Sequence, residues 1–138
     1  EKPRTVVSGL VKFMKESDLI NKNVCLLCNL KPAKMRGIES AAMVLCANSA
    51  DGTLVEVLEP PSDSNPGDKL VFDGFTGTPE TLLKPKQKIW ESLQPNLFTD
   101  GTLQATFVCP DTKKEHVLKS SRTGQPVTSK SLKKATIK

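Results

Sequence analysis

Residues 23–47 read NVCLLCNLKPAKMRGIESAAMVLCA. Two apolar runs, Asn23–Leu30 and Ala42–Ala47, bracket the polar, cationic stretch Lys31–Ser40. The first run predicts a central strand buried on both faces, and the second predicts another strand. Between them Pro32 cannot donate a ladder hydrogen bond and Gly37 permits an unusual turn, so Lys31–Ser40 reads as a loop held at both ends by strands.

Working outward, Thr5–Val11 is rich in β-branched residues and suits a strand, and Lys15–Asn21 suits a short helix or turn. Asp51-Gly52 is a common hairpin dipeptide, and Thr53–Leu58 alternates like a strand. Glu59–Asp68 holds three prolines and Gly67 and reads as a loop before a strand at Lys69–Phe75. Thr76–Glu80 reads as a linker that divides the chain into 1–78 and 79–138. Pro85–Leu93 suits a helix, with Pro85 in its first turn, Ile89, Trp90 and Leu93 on one face, and Pro95 ending it. Thr102–Cys109, Glu115–Ser120 and Pro126–Thr128 read as short strands. The tail Lys130–Lys138 reads as a solvated end or an added phosphate contact. The pattern predicts an all-β fold with one or two short helices, a barrel carrying a small C-terminal β-rich lobe.

The 138 residues are 37% hydrophobic and 25% charged, the balance of a folded domain rather than a disordered chain. No apolar run approaches the roughly 18 residues that a membrane-spanning helix needs. No leader pattern follows Glu1, and a chain that starts without Met is expected to be a fragment or a processed product. The net charge is +5, and its distribution is uneven. Residues 1–50 carry +4, residues 51–80 carry −6, and residues 81–138 carry +7. If the fold brings the two basic flanks together, they make a positive face suited to a polyanion.

Catalysis finds little support. No nucleophile elbow, phosphate-binding Gly-rich loop or zinc-protease motif occurs, and His116, the single histidine, lies in a polar stretch. Cys25 and Cys28 resemble a metal or redox half-site, yet on a strand residues three apart face opposite ways and no second pair follows. Cys25, Cys28, Cys46 and Cys109 therefore read as buried structural thiols, which predicts a reducing, intracellular setting and no metal or other cofactor.

The densest cationic stretch is Asn29–Gly37. Lys31, Lys34 and Arg36 lie within six residues, with the polar Asn29 and Ser40 nearby. Lysine supplies point charge and arginine can grip two phosphate oxygens at once; a merely solvated loop would look the same. Lys84, Lys86 and Lys88 form a second cluster, two of them opposite the apolar face of the expected helix and Lys86 at its edge. Aromatic residues are 4% of the chain with no tyrosine, few enough that the core would use most of them. Contact with a nucleic acid is then expected through phosphate and shape, with little reading of bases.

Longer motifs add a resemblance. Val6-Val7-Ser8-Gly9-Leu10, Cys28-Asn29-Leu30-Lys31-Pro32, Lys34-Met35-Arg36-Gly37 and Ala42-Met43-Val44-Leu45 resemble the tRNA-binding domain appended to aminoacyl-tRNA synthetases. The similar branch is the eukaryotic one typified by endothelial monocyte-activating polypeptide II, with the C-terminal domains of some tyrosyl- and methionyl-tRNA synthetases and synthetase cofactors. Pro66-Gly67-Asp68 and Leu83–Glu91 match it too. The resemblance runs from Pro3 to about Phe107, and more loosely to the end.

The resemblance implies an oligonucleotide-binding Greek-key barrel over 1–78 and a lobe over 79–138 that packs on it, so that the protein acts as a monomer. It implies sequence-tolerant tRNA binding through Asn29, Lys31, Lys34, Arg36 and Ser40, with Lys84, Lys86 and Lys88 as an extension. It implies a non-catalytic, cytoplasmic module that delivers or retains tRNA for a synthetase in cis or in trans. Some relatives are released and act as inflammatory cytokines, and others help assemble synthetase complexes; both stand as alternatives. The family opens with a strand pair upstream of Pro3–Val7, where this sequence begins, so the natural protein is expected to be longer.

Overall fold

The computed structural model describes residues 3–138 except 76, 79 and 80. Of the expected linker Thr76–Glu80, those three residues lie outside the described residues. The described strands are β1 (Leu26–Leu27), β2 (Ala33–Met35), β3 (Ile38–Ser40), β4 (Met43–Val44), β5 (Cys46–Asn48), β6 (Val55–Val57), β7 (Leu70–Phe72), β8 (Leu97–Thr99), β9 (Ala105–Val108), β10 (Glu115–Ser120) and β11 (Thr136–Ile137). One α-helix, α1 (Ile89–Leu93), and single 3-10 turns at Glu16–Asp18, Pro85–Gln87 and Gln94–Asn96 complete the elements. The architecture is all-β with short helices, as the punctuation by glycine and proline implied.

The main sheet has the order β6-β5-β11-β8-β9-β10-β7 and is antiparallel throughout. It draws strands from both sides of residue 78. The first shared seam is β11 against β5, with Ile137 opposite Ala47; the second is β10 against β7, with Leu118 opposite Phe72. The larger of two buried clusters therefore spans residue 78. Cys25, Ala47 and Leu58 pack in one buried cluster with Leu97, Phe107, Leu118, Val127 and Ile137. A smaller cluster of Leu10, Cys46 and Val57 lies under Met14, Leu19 and Val24.

Several expectations need correction. The run Asn23–Leu30 forms a strand only at β1, whose partner is β4 alone among the described residues, and Leu26 and Leu27 are half-buried. An apolar run shows that a segment packs inward, not that it is paired on both sides. Thr5–Val11 forms no strand. It is held by the Ala41 amide on the Thr5 carbonyl (2.8 Å) and then turns at Leu10, whose carbonyl accepts from Phe13 and Met14. The expected helix Pro85–Leu93 breaks at Lys88, which takes a left-handed φ of 50° between the 3-10 turn and α1. The helical-wheel placement of the three lysines therefore does not hold. The tail is not a solvated end: Ala135 and Ile137 are buried, and β11 lies between β5 and β8.

Candidate nucleic-acid interface

The stretch read as a loop, Lys31–Ser40, is a β-hairpin. β2 pairs with β3 in the register Ala33–Ser40, Lys34–Glu39 and Met35–Ile38. The two turn residues, Arg36 and Gly37, have φ of 52° and 82°. Positive φ at both central positions is the mark of a type I′ turn, whose twist matches the flanking strands. Asn-Gly or Asp-Gly signals that turn in a sequence; Arg36 hides it. A side chain at position 36 then stands at the very tip of the ribbon, and Arg36 is exposed there with Lys31 and Lys34 along it. Lys34 stands opposite Glu39 in the ladder register, without an ion pair between them.

Ser40 is placed differently. It is buried at 7% exposure, its Oγ accepts from the Val7 amide (2.9 Å), and it donates to the Ala42 carbonyl (2.9 Å). Both capacities are committed to fixing the hairpin base against the Thr5–Val7 segment. Asn29 is half-buried, and its carbonyl accepts from the Leu83 amide at 2.6 Å.

That bond joins the two cationic clusters. Leu30 and Leu83 form a parallel bridge, so Lys31 and Lys84 each follow a bridged residue and leave it in the same direction. Lys84 caps the 3-10 turn Pro85–Gln87, Lys86 lies in it, and Lys88 ends it; all three are exposed. The fold therefore brings the basic segments flanking the acidic one together at this edge.

Other cations are spent elsewhere. Arg122 pairs with Asp68 through Nε (3.1 Å) and Nη2 (2.9 Å), and also donates to the Asp63 carbonyl. Lys119 pairs with Asp73 at 2.9 Å. The hydrogen bond and charge of Arg122 hold the Asp68 carboxyl below its usual range, and Lys119 does the same for Asp73. The acidic segment 51–80 thus ties down part of the C-terminal basic charge. None of the ion pairs among the described residues uses Lys31, Lys34, Arg36, Lys84, Lys86 or Lys88.

The thiols and the histidine make no site here. Cys25 and Cys46 are buried, and burial pushes them up to about 12 and about 11, which makes them inert. Cys28 is exposed and Cys109 half-buried, so the expectation of four buried thiols fails for both. The His116 ring packs on Phe75 with centroids 4.6 Å apart, and its Nδ1 lies 2.6 Å from the Asp73 carbonyl. Among the described residues, no cluster of His, Cys, Asp or Glu is arranged to hold a metal ion, and no helix is long and apolar enough to cross a membrane.

Sequence reasoning missed the surface aromatic and thioether groups. Phe13 is 39% exposed, and Met35, in β2 of the hairpin, is 44% exposed.

An all-β scaffold thus presents a cationic hairpin beside a second lysine cluster, an arrangement complementary in charge to a polyanion. The family model of the tRNA binding domain matches residues 1–69, half of the chain, and the chain belongs to that family. It is 54% identical over 105 residues to the aminoacyl tRNA synthase complex-interacting multifunctional protein 1 of Mus musculus, covering 76% of this chain and 33% of that protein. It is 53% identical over 104 residues to the cytoplasmic methionine–tRNA ligase of Arabidopsis thaliana, covering 75% of this chain and 13% of the ligase. It is 49% identical over 102 residues to the tRNA-aminoacylation cofactor arc1 of Schizosaccharomyces pombe, covering 73% and 22%. The chain thus spans a third or less of these relatives' lengths. Among solved structures, the C-terminal domain of Plasmodium vivax p43 superposes with a TM-score of 0.84 at 29% identity, covering 100% of this chain and 79% of that one. The domain is thus one carried both by synthetases and by synthetase cofactors.

Proposed function

We propose that the chain is a non-catalytic tRNA-binding module that grips the phosphate backbone through Lys31, Lys34 and Arg36 on the hairpin and Lys84, Lys86 and Lys88 beside it. The observation that carries this reading is the Leu83–Asn29 hydrogen bond, which sets two exposed cation clusters on one edge. Phosphate contacts fix position without reading sequence, so the grip is tolerant of tRNA identity. Ser40 acts by positioning the hairpin, and Asn29 by holding the 83–88 segment.

Attached to or associated with a synthetase, such a grip raises the local concentration of tRNA near the catalytic site. It lowers the apparent Michaelis constant for tRNA and leaves the chemical step nearly unchanged. The setting that fits is the cytoplasm. We also propose that 79–138 acts as an extension integrated into the sheet and core of 1–78, and that it contributes the second lysine cluster.

Binding of unfractionated tRNA to the chain, followed as salt rises from about 50 to about 200 mM, tests the proposal. Affinity falls steeply over that range if phosphate contacts dominate. A chain that fails to bind tRNA at the lowest salt, or whose affinity ignores salt, is not such a module.

A further inference from the structure

The strand registers gather several turns on one rim of the main sheet. The amide and carbonyl of Lys138 exchange hydrogen bonds with those of Cys46 (3.0 and 3.1 Å), so β11 ends where β5 begins. β11 runs antiparallel to β8 with Thr136 opposite Phe98, so β8 begins at that rim too. Leu97 opposes Phe107 and Glu115 opposes Val108, so β9 ends there and β10 begins there. The hairpin leads on to β5 at Cys46, and the 85–96 segment leads into β8 at Leu97. The rim that carries the two cation clusters therefore also carries the β9–β10 turn, residues 109–114.

That turn presents two further lysines. Lys113 and Lys114 are exposed, and none of the ion pairs among the described residues uses them. The Cys109 amide closes the turn on the Lys114 carbonyl (3.0 Å), and the Lys113 amide on the Cys109 carbonyl (2.8 Å). Lys113 holds φ of 60°, a left-handed conformation that glycine takes at less cost. Arg36 and Lys88 hold the same conformation at 52° and 50°. Each of the three segments thus carries a cation where the backbone alone favours another residue.

The two rims differ in charge. The cations of the hairpin, the 84–88 segment and the 109–114 turn outnumber their acidic neighbours Glu39, Glu91, Asp111 and Glu115 by two to one. At the opposite rim Lys130, Lys133 and Lys134 are exposed in the loop before β11. Three carboxylates offset them there: Glu56, which binds that loop, Asp51 in the β5–β6 turn and Asp100 in the β8–β9 turn.

We propose that the 109–114 turn is a third phosphate contact for the same tRNA, with Lys113 and Lys114 extending the cationic rim across the sheet from the hairpin. β9 stands three places from β5 in the sheet, roughly 14 Å at the usual strand spacing. Backbone phosphates are dense on that scale, so one RNA meets both ends of the rim. This inference rests on the tRNA-binding reading and enlarges the surface that reading uses.

The test compares two charge-matched variants of the intact chain, Lys113→Gly/Lys114→Ala and Lys134→Gly/Lys133→Ala. Each removes two positive charges from an exposed turn. Each also puts glycine where the lysine holds a positive φ, 60° or 49°, so neither strains the backbone. Binding of unfractionated tRNA is followed from about 50 to about 200 mM salt, with melting curves to show that both variants are folded. The first variant is expected to lower the logarithmic salt slope by about 2, and the second to keep the parent slope. In a chain stripped of the hairpin and 84–88 cations, this turn supplies the little salt dependence that remains. Equal losses in the two variants show that affinity follows net charge and overturn the third contact. A parental slope in the first variant overturns it as well, and a loss confined to the second moves the contact to the opposite rim. If the parent chain does not bind tRNA, the tRNA reading itself fails.

Discussion

The Leu83 amide donates to the Asn29 carbonyl at 2.6 Å, across 54 residues of chain, and Leu30 and Leu83 bridge in parallel beside it. These backbone contacts bring the segments that carry the two lysine clusters side by side. Phosphates on RNA are spaced regularly, so cations that share an edge can be met by one stretch of backbone, whereas scattered ones cannot.

Leu83→Pro deletes the donor of that bond. The expected cost is about 1 kcal/mol of stability from the hydrogen bond, with tRNA affinity falling to that of a chain lacking the Lys84, Lys86 and Lys88 charges. Leu83→Ala keeps the amide and is the control. Thermal unfolding and filter binding on both variants check it; equal affinities for the two would separate the bond from the interface.

Arg36 holds a conformation that suits asparagine better. Arg36→Asn is expected to stabilise the hairpin by up to about 1 kcal/mol, since arginine in the left-handed region carries a steric cost. Under the proposed phosphate grip, the same change lowers the salt slope of tRNA binding by about 1. Stability and affinity thus move in opposite directions, which unfolding and binding titrations read independently.

Ser40→Ala strips a buried hydroxyl with two partners. The expected loss is about 1–3 kcal/mol of stability, because the Val7 amide and the Ala42 carbonyl are left without it. The salt slope stays as in the parent chain. A slope lowered by about 1 would make Ser40 a direct phosphate contact instead.

Glu56 clamps the tail across 75 residues. One carboxylate oxygen accepts from the Ser131 and Leu132 amides (2.9 and 3.0 Å), and the other from the Ser131 hydroxyl. Partial burial pushes its pKa up, but those three donors outweigh burial and leave the net value lowered. A carboxyl with a lowered folded pKa stabilises the fold fully above its ordinary value and loses that contribution as pH falls through the folded one. The melting temperature is therefore expected to drop below about pH 4.5, and Glu56→Gln to flatten that drop. Melting curves across pH 3–7 for both proteins check the sign.

Much of this was legible in the sequence, and the misses have physical causes. Glu115–Ser120 was readable to the residue because one face of β10 buries Leu118 and Ser120 while Glu115 stays exposed. The hairpin was hidden because Arg36 occupies a turn position usually marked by asparagine or aspartate. The tail looked solvated because its lysines outnumber Ala135 and Ile137, and only the partners β5 and β8 show those two to be core. The cations themselves were legible as charge. What joins them was not, since a bond between the backbone of residues 29 and 83 leaves no trace in side-chain pattern.

The central claim is that two cation clusters make one tRNA surface, and the salt dependence of tRNA binding tests it most directly. The comparison is between the parent chain, Lys31→Ala/Lys34→Ala/Arg36→Ala, Lys84→Ala/Lys86→Ala/Lys88→Ala, and all six together. Each triple variant is predicted to lower the logarithmic slope by about 3, and the sixfold variant to leave little salt dependence. A parent slope preserved in either triple variant would contradict a shared surface and leave that cluster as solvated charge.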